Sequence, residues 1–390
     1  MDKIVIVNAK RTPIGKLNGV LSNHTAVDLG IHVAKATLSD AQLSPTQIDQ
    51  VIFGNAIQAG SGQNIARQIE LQAQIPKDKT AFTVNQVCGS GLKAVRQAQM
   101  ALLLGESRMI LAGGTESMSN VPFYNMNQRR PKKFGSITEY DGLERDGLQD
   151  AFSNRPMGIT AENVASKFNI SRQAQDEFSL HSHLKAQAAI HQNNFANEIV
   201  PLTDHHSKSL ITQDEPVRFD TTIEKLAALK PAFESDGTVT AGNAAGLNDG
   251  AAALILTTES NAKALGKQPL AEIIGYAEQG IDPAIMGYAP YYAIKKTLAA
   301  HQMTTDDIDL FEINEAFASQ CVAVSRDLKI KDDRLNISGG AIALGHPLGD
   351  SGARILTTLI HNLRRTGKTY GIASLCMGGG MGSAMLIKAR

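Results

Sequence analysis

Three residues of the chain have side chains suited to covalent chemistry and lie beside glycines: Cys88, His346 and Cys376. A cysteine thiolate is a good nucleophile, and a neighbouring imidazole can take the proton from its thiol. A second thiol, with an ordinary pKa of about 8.5, can move a proton to or from carbon near neutral pH. The glycines of 378–382 and the amide of Asn314 could hold negative charge on a thioester oxygen. These residue types indicate acyl transfer at a thioester.

Cys88 is predicted to lie between a strand and a helix. A β-like run ends near Val87, and the helical spacing of apolar residues begins at Leu92. Unpaired N–H groups and the positive end of the helix dipole at such a junction favour a thiolate. The alternative for Cys88 considered alone is a core cysteine, because free cysteines are commonly buried.

The other candidates also have structural alternatives. His346 could be a turn histidine bonded to backbone, and Cys376 could belong to the core. The glycines of 378–382 could form only a tight hairpin, and the pair 314–315 could cap a helix. The functional interpretation requires these residues to meet at the strand ends of one sheet.

The composition describes a large globular chain without a charge bias. Its 390 residues are 43% hydrophobic, and 38 basic residues balance 38 acidic ones. This balance argues against a general nucleic-acid or membrane-surface binder. Three cysteines without framework spacing indicate free thiols in a reducing compartment. With no signal-peptide pattern and no apolar run of membrane-span length, we expect a cytoplasmic protein.

Predicted strands and helices alternate along the chain, which is typical of a mostly parallel sheet with helices on its faces. The predicted strands are 4–7, 51–53, 81–87 and 109–111, and the predicted helices are 26–38, 64–75 and one after Cys88. The strand at 109–111 is predicted to end at Gly113-Gly114.

The second half of the chain repeats the first. The segment ATLSDAQLSPTQIDQVIFGN (36–55) matches KTLAAHQMTTDDIDLFEIN (296–314). Lys35, Thr37, Leu38, Ile48 and Asp49 recur as Lys295, Thr297, Leu298, Ile308 and Asp309, and Ser90-Gly91 recurs as Ser351-Gly352. We therefore predict a duplicated α/β unit whose halves pack about a pseudo-twofold axis. The strand ends of both halves would converge, where open α/β sheets bind ligands.

The segment 121–248 differs in texture and is predicted to be an insertion covering one face of the core. The predicted division is 1–120 with 249–270 as the N-terminal core half, 121–248 as the insertion, and 271–390 as the C-terminal core half. The insertion contains the basic run QRRPKKF (128–134). This run could contact phosphate, although a solvated loop is the favoured interpretation.

Eight motifs make the sequence resemble the thiolase family over essentially its whole length. They are NQVCGSGLKA (85–94), GGTESMS (113–119), MGITAENVA (157–165), GTVTAGNAAGLNDGAAA (237–253), MGYAP (286–290), NEAF (314–317), GGAIALGHPLGDSGAR (339–354) and CMGGGMG (376–382). The resemblance implies duplicated βαβαβαββ halves in α-β-α-β-α layers, with an inserted loop domain that holds coenzyme A. It implies coenzyme A as a substrate and no metal or redox cofactor.

The resemblance also implies the role of each site residue. Cys88 would carry the acyl group, activated by His346, and Cys376 would protonate the leaving acetyl-CoA carbanion or deprotonate acetyl-CoA. His346 and a water held by Asn314 would form one oxyanion hole. The backbone N–H groups of Cys88 and Gly378 would form the other.

The predicted substrate-binding residues are Met157, Arg218, Phe233, Ala245, Met286, Ala316 and Phe317. Among them, Arg218 would stack on the adenine. Two positions depart from short-chain biosynthetic members, which often have His at Pro156 and Ser at Ala245. The turn VCGSG (87–91) is nevertheless similar to the acetoacetyl-CoA type, so we expect 2 acetyl-CoA to interconvert with acetoacetyl-CoA and CoA.

Three alternatives remain for the function. They are a degradative 3-ketoacyl-CoA thiolase of fatty-acid β-oxidation, a condensing enzyme of fatty-acid or polyketide synthesis, and a non-catalytic acyl-CoA or lipid carrier. The resemblance implies a homodimer or homotetramer. No role is predicted for Cys321, His181, His183 or Asp350, and the pair His205-His206 is predicted to lie at the surface.

Overall fold

The computed structural model describes residues 2–204 and 208–390, so the pair His205-His206 lies outside the described residues. The strands are β1 (Ile4–Arg11), β2 (Gly15–Lys16), β3 (Gln50–Gly54), β4 (Thr80–Val84), β5 (Met109–Ser117), β6 (Phe123–Tyr124), β7 (Tyr140–Asp141), β8 (Leu202–Thr203), β9 (Leu210–Ile211), β10 (Asn248–Thr258), β11 (Ala271–Gly280), β12 (Leu310–Ile313), β13 (Tyr370–Met377) and β14 (Met381–Ala389). The helices are α1 (Ala26–Asp40), α2 (Ile65–Gln72), α3 (Ser90–Leu103), α4 (Met157–Lys167), α5 (Arg172–His191), α6 (Ile223–Ala227), α7 (Glu259–Ala264), α8 (Ala289–Ala300), α9 (Ala318–Asp327), α10 (Ala341–Leu344) and α11 (Ser351–Thr366).

Four strands of each half follow the same order in the main sheet, arranged as mirror images along it, and the N-terminal half adds β4 at its edge. The N-terminal order β4-β3-β5-β10-β1 continues into β11-β14-β13-β12. In both halves the first and last strands of the unit pair antiparallel, whereas the inner strands pair parallel. The halves join where Val5 and Ile6 pair with Glu272 and Ala271. A duplicated unit thus builds one sheet across the pseudo-twofold axis.

The side-chain contacts of the repeated sequence are repeated as well. Thr37 and Thr297 are buried and each donates its hydroxyl to the carbonyl four residues earlier in the helix. Asp49 and Asp309 each accept two backbone N–H bonds at the start of a neighbouring strand. The sequence identities between the halves therefore mark equivalent structural positions.

Helices α3 and α11 pack against each other between the two halves of the sheet. Their first turns contain the repeated Ser-Gly pairs, and both glycines are required for the approach. A Cβ on Gly91 would lie 2.7 Å from the backbone N of Ala353, and one on Gly352 would lie 2.3 Å from the backbone N of Leu92. This close contact brings the N-terminal ends of both helices to one place.

Helices cover the two outer faces as well. Helices α1 and α2 pack on the N-terminal half of the sheet, and α8 packs on the C-terminal half. Residues 121–204 and 208–248 hold two small hairpins, β6–β7 and β8–β9, together with α4, α5 and α6. The basic run 128–134 is exposed. Among the described residues, no helix has the length and apolar character needed to cross a membrane.

Two sequence predictions about element ends were wrong. Strand β5 runs through Gly113 and Gly114 to Ser117. These glycines do not end the strand; they allow neighbouring backbone segments to approach it closely. A Cβ on Gly114 would lie 2.2 Å from the carbonyl oxygen of Gly349. Strand β4 ends at Val84 rather than near Val87, so residues 85–89 form a turn instead of strand.

Candidate active site

Cys88 follows a turn whose backbone is strained at Val87. Val87 has a φ of 51°, which is rare for a β-branched residue and costs about 1–3 kcal/mol. Ser90 holds this turn, because its hydroxyl donates to the carbonyl of Val87 at 2.6 Å and accepts from the N–H of Gln86 at 2.9 Å. Helix α3 then begins at Ser90, so Cys88 lies at a strand-to-helix junction as predicted.

The resting state of Cys88 is a thiol, contrary to the expectation of a favoured thiolate. Burial raises the pKa of Cys88 to about 12, although the backbone N–H groups of Gly378 and Cys88 lower it. Desolvation therefore outweighs the N–H groups and the helix terminus. Both N–H groups point at the sulfur. A base is needed to remove the thiol proton.

His346 is held as a neutral imidazole. Its backbone N–H donates to Asn248 Oδ1 at 2.9 Å, and its Nδ1 lies 2.6 Å from Ser351 Oγ. Because the single hydroxyl hydrogen of Ser351 is directed at the carbonyl of Pro347, 2.7 Å away, Nδ1 carries a hydrogen and Nε2 a free lone pair. Burial, and then the charge of Arg354, lowers the pKa of His346 to about 3. The imidazole is thus neutral across the physiological pH range.

Asn314 lies beside His346, directly after β12. Its Nδ2 is 3.4 Å from each ring nitrogen of His346, and its Oδ1 has no hydrogen-bond partner among the described residues. The alternative of a helix cap is wrong, because α9 begins at Ala318 and its N-cap residue is Phe317, without a side-chain cap.

Cys376 is the penultimate residue of β13, next to the turn of the β13–β14 hairpin, and is 1% exposed. Burial and the nearby Cys88 raise the pKa of its thiol. The thiol donates to Gln320 Oε1 at 2.9 Å. The glycines that follow do form a tight hairpin, since residues 378–380 connect the two strands. The turn of this hairpin also places the N–H of Gly378 at the sulfur of Cys88.

A narrow pocket of about 70 Å³ brings most of the predicted residues together. Its lining includes Cys88, Met157, Ala245, Met286, Ala316, Phe317, His346 and Gly378. Cys376 and Asn314 lie behind this lining, almost completely buried. An outer cavity of about 260 Å³ shares Gly246 and Leu247 with the narrow pocket, so the two cavities are adjacent.

The outer cavity has a positive lining. Lys16, Arg218 and Lys225 line it together with a single carboxylate, Asp220. Such a lining suits phosphate groups. His183 also lines it and accepts the backbone N–H of Arg218 at 3.4 Å, with its pKa lowered by burial to about 4.

Phe233 is the predicted binding residue that lines neither cavity. Its ring packs on the backbone of α4, where a Cβ on Gly158 would lie 2.2 Å from Phe233 Cδ2. The ring also meets the edge of Phe317, with centroids 6.3 Å apart at 80°. Phe233 therefore supports the wall that Phe317 presents to the narrow pocket.

Sequence reasoning missed residues that hold the site loops together. Glu116 accepts from the N–H groups of Ala56 and Gly349 at 2.9 and 2.8 Å, tying the first half to the loop of His346. Burial raises the pKa of Glu116 to about 7. Glu315 accepts from Ser182 and Asn336, each at 2.7 Å. The motifs GGTES and NEAF contain these glutamates, but only the fold shows what they bind.

Asp350 is buried at the start of α11, and neither of its carboxylate oxygens has a hydrogen-bond partner among the described residues. Burial raises its pKa to about 8, although Arg354 and Arg11 lower it. The folded state therefore retains a proton that the unfolded chain loses near pH 4. The contribution of this proton to the free energy of unfolding is therefore fully present below about pH 4, and it is lost as the pH rises towards 8.

Replacement of Asp350 by alanine is expected to raise the melting temperature, and the gain should be larger at high pH. We expect the gain at pH 8.5 to exceed the gain at pH 5 by at least about 2 °C. Thermal unfolding at both pH values, with Asp350→Asn as the uncharged control of similar shape, measures the effect. A gain that does not change with pH would show that ionisation of Asp350 is not its cause.

Comparison with known proteins agrees with this geometry. Residues 4–260 match the family model "Thiolase, N-terminal domain", and residues 267–389 match "Thiolase, C-terminal domain". The chain belongs to the thiolase family. The predictions of a thiolase fold and of an acyltransferase are thereby confirmed.

Relatives and solved structures match over nearly the whole chain. A probable acetyl-CoA acyltransferase of Staphylococcus epidermidis is 47% identical over 99% of both chains, and one of Staphylococcus aureus is 46% identical over the same share. The crystal structure of Bacillus anthracis acetyl-CoA acetyltransferase is 43% identical, with a TM-score of 0.97 over 100% of this chain and 99% of that one. Human mitochondrial 3-ketoacyl-CoA thiolase in complex with CoA has the same identity and TM-score, covering 100% and 98%.

Proposed function

We propose that the chain catalyses reversible thiolysis of 3-ketoacyl-CoA through an acyl-cysteine intermediate, with acetoacetyl-CoA as its preferred substrate. One observation carries the proposal: Cys88, His346 and the N–H of Gly378 meet on the lining of one narrow pocket. A buried thiol, a neutral imidazole with a free Nε2 and a fixed N–H donor are the parts that thioester chemistry requires.

The first half-reaction transfers the acyl group to Cys88. His346 Nε2 takes the thiol proton, and the sulfur attacks the 3-keto carbon. The bond between C2 and C3 then breaks, and its electron pair leaves with the acetyl-CoA carbanion. Cys376 gives its proton to that carbanion, releasing acetyl-CoA.

The second half-reaction returns the acyl group to coenzyme A. Cys376, left as a thiolate, takes the proton of a free CoA thiol, and the CoA sulfur attacks the acyl carbonyl. The bond between the acyl carbon and Cys88 then breaks, and His346 returns its proton to the Cys88 sulfur, which regenerates the enzyme. The N–H groups of Cys88 and Gly378 hold the oxyanion of this step. His346, with a water on Asn314, holds the thioester oxygen of the carbanion.

The two adjacent cavities offer a place for each part of coenzyme A. The positive outer cavity, with Lys16, Arg218 and Lys225, suits the nucleotide phosphates. Gly246 and Leu247 lie at the passage to the narrow pocket, where the pantetheine would enter. We propose that residues 121–248 act as the unit that binds coenzyme A.

The size of the narrow pocket favours a short acyl group, since about 70 Å³ holds only a few heavy atoms. A longer chain is the second candidate, because the pocket lining includes Ala245 where a serine would supply a polar group. Three methionines, Met118, Met157 and Met286, also line the pocket and could adapt to a longer chain.

CoA-dependent cleavage of acetoacetyl-CoA and of 3-ketohexadecanoyl-CoA tests the proposal. We expect a kcat/KM for acetoacetyl-CoA at least about 10-fold higher, because the narrow pocket would have to open for the long chain. Mass spectrometry after incubation with acetyl-CoA should show an acetyl group on Cys88. A preference for the long chain would support the degradative assignment, and the absence of any adduct would support a carrier.

We further propose a homodimer or homotetramer in the cytoplasm. Strand β4 lies at the end of the sheet with one unpaired edge, which is a common site of pairing with a second copy. The hairpin region 123–141 exposes the apolar side chains of Phe123, Met126, Phe134 and Ile137, which suit a further contact between subunits.

A further inference from the structure

Gln320 lies behind the narrow pocket, in the first turn of α9, and is completely buried. Its amide connects two predicted catalytic residues. Oε1 accepts the thiol hydrogen of Cys376 at 2.9 Å, and Nε2 donates to the backbone carbonyl of Asn314 at 3.1 Å. We infer that Gln320 is a positioning residue that fixes the direction of the Cys376 S–H bond during proton transfer to and from carbon.

The orientation of the amide is determined by its neighbours. A backbone carbonyl can only accept, so the group facing the oxygen of Asn314 must be Nε2. Nε2 also lies 3.4 Å from Cys321 Sγ, which can accept weakly. Oε1 is therefore left facing Cys376, and it can only accept the hydrogen of that thiol.

The side chain has little freedom to move from this position. A Cβ on Gly287 would lie 2.9 Å from Gln320 Cβ, so the segment before α8 packs directly against it. Cys321, beside it, is also completely buried and donates weakly to the same Asn314 carbonyl at 3.7 Å. An amide enclosed in this way can act as a fixed acceptor.

This arrangement has a consequence for the proposed reaction, on which the inference rests. When Cys376 removes a proton from the methyl group of acetyl-CoA, the C–H bond breaks, an S–H bond forms and the electron pair remains on carbon. The new S–H bond has an acceptor in Gln320, so its hydrogen turns away from the carbanion while the carbon attacks acyl-Cys88. In thiolysis the S–H bond of Cys376 points at Gln320 before the thiol gives its proton to the carbanion.

Acetylation of Cys88 by acetyl-CoA releases a CoA thiolate rather than a carbanion, and a thiolate needs the proton of Cys376 far less than a carbanion does. This step should therefore respond much less than deuterium incorporation to a change at Gln320. Methionine has the same length as glutamine without the amide. In Gln320→Met we expect the incorporation of solvent deuterium into the methyl group of acetyl-CoA to fall about 10- to 100-fold. The single-turnover rate of Cys88 acetylation should change by less than about 3-fold.

Gln320→Glu is the rescue variant. A protonated carboxyl group could donate to the Asn314 carbonyl and accept from Cys376, which reproduces both bonds of the amide. The titratable groups facing this position are Cys376 and Cys321, and Glu315 acts on Cys321 from nearby. We expect deuterium incorporation within about 5-fold of wild type at pH 6, falling towards the Gln320→Met value by pH 9 as the carboxyl ionises.

The outcomes separate this inference from the proposed function. If wild type acquires no acetyl group on Cys88, the proposed function fails. If wild type is acetylated but Gln320→Met slows both steps equally, or neither, the positioning role is wrong. A Gln320→Glu variant without the pH-dependent loss would also overturn it, because a purely structural role predicts no such profile. Circular dichroism melting shows whether each variant is folded.

Discussion

Replacement of Cys88 by alanine is expected to lower the rate of acetoacetyl-CoA thiolysis by at least about 10⁴-fold. The proposed reaction passes through a covalent bond to this sulfur, and the chain has only two other cysteines. Both of those are completely or almost completely buried. Initial rates with acetoacetyl-CoA and CoA, together with the intact mass after incubation with acetyl-CoA, measure the effect.

Cys88→Ser is the matched control, because it keeps the turn and a hydroxyl in place of the thiol. We expect it to be folded and nearly as inactive, since a hydroxyl is a poorer nucleophile and leaving group than a thiol. Appreciable turnover by Cys88→Ala, or an acetyl group found on another residue, would show that the nucleophile has been assigned wrongly.

Replacement of His346 by alanine is expected to slow acetylation of Cys88 about 10²- to 10⁴-fold at pH 7 and to change its pH dependence. In wild type, the thiol pKa of about 12 and the imidazole pKa of about 3 leave both groups neutral from pH 5 to 9. Acetylation should therefore vary little over this range. Without the base, the rate depends on the thiolate fraction, which rises tenfold per pH unit below the thiol pKa.

The measurement is the single-turnover acetylation rate at intervals between pH 6 and 9. Ser351→Ala is the graded control, because it keeps the imidazole and removes only the partner of Nδ1. We expect it to lose about 10-fold through poorer orientation while its profile remains flat. A flat profile for His346→Ala would mean that another group takes the thiol proton.

Local sequence predicted the structural units well wherever the physical cause is itself local. Short apolar runs rich in β-branched residues located β1 and β3, and the helical spacing located α1 and α3 to within a few residues. The internal repeat predicted equivalent halves, since Thr37 and Thr297 form the same bond within a helix and Asp49 and Asp309 form the same bonds at strand starts. The end of β5 was not predictable at Gly114. A glycine is needed there because the backbone of Gly349, 235 positions away in sequence, packs against it.

The sequence by itself determined which side chains are chemically able to act and the backbone that presents them. Cys88, His346 and Cys376, each within two residues of a glycine, needed only residue type, local turn geometry and resemblance to indicate thioester chemistry. Their protonation states were decided by the tertiary structure, because desolvation and hydrogen-bond partners come from distant segments. Burial outweighs the helix terminus at Cys88, and Gln320, 56 residues before Cys376, supplies the acceptor for its thiol.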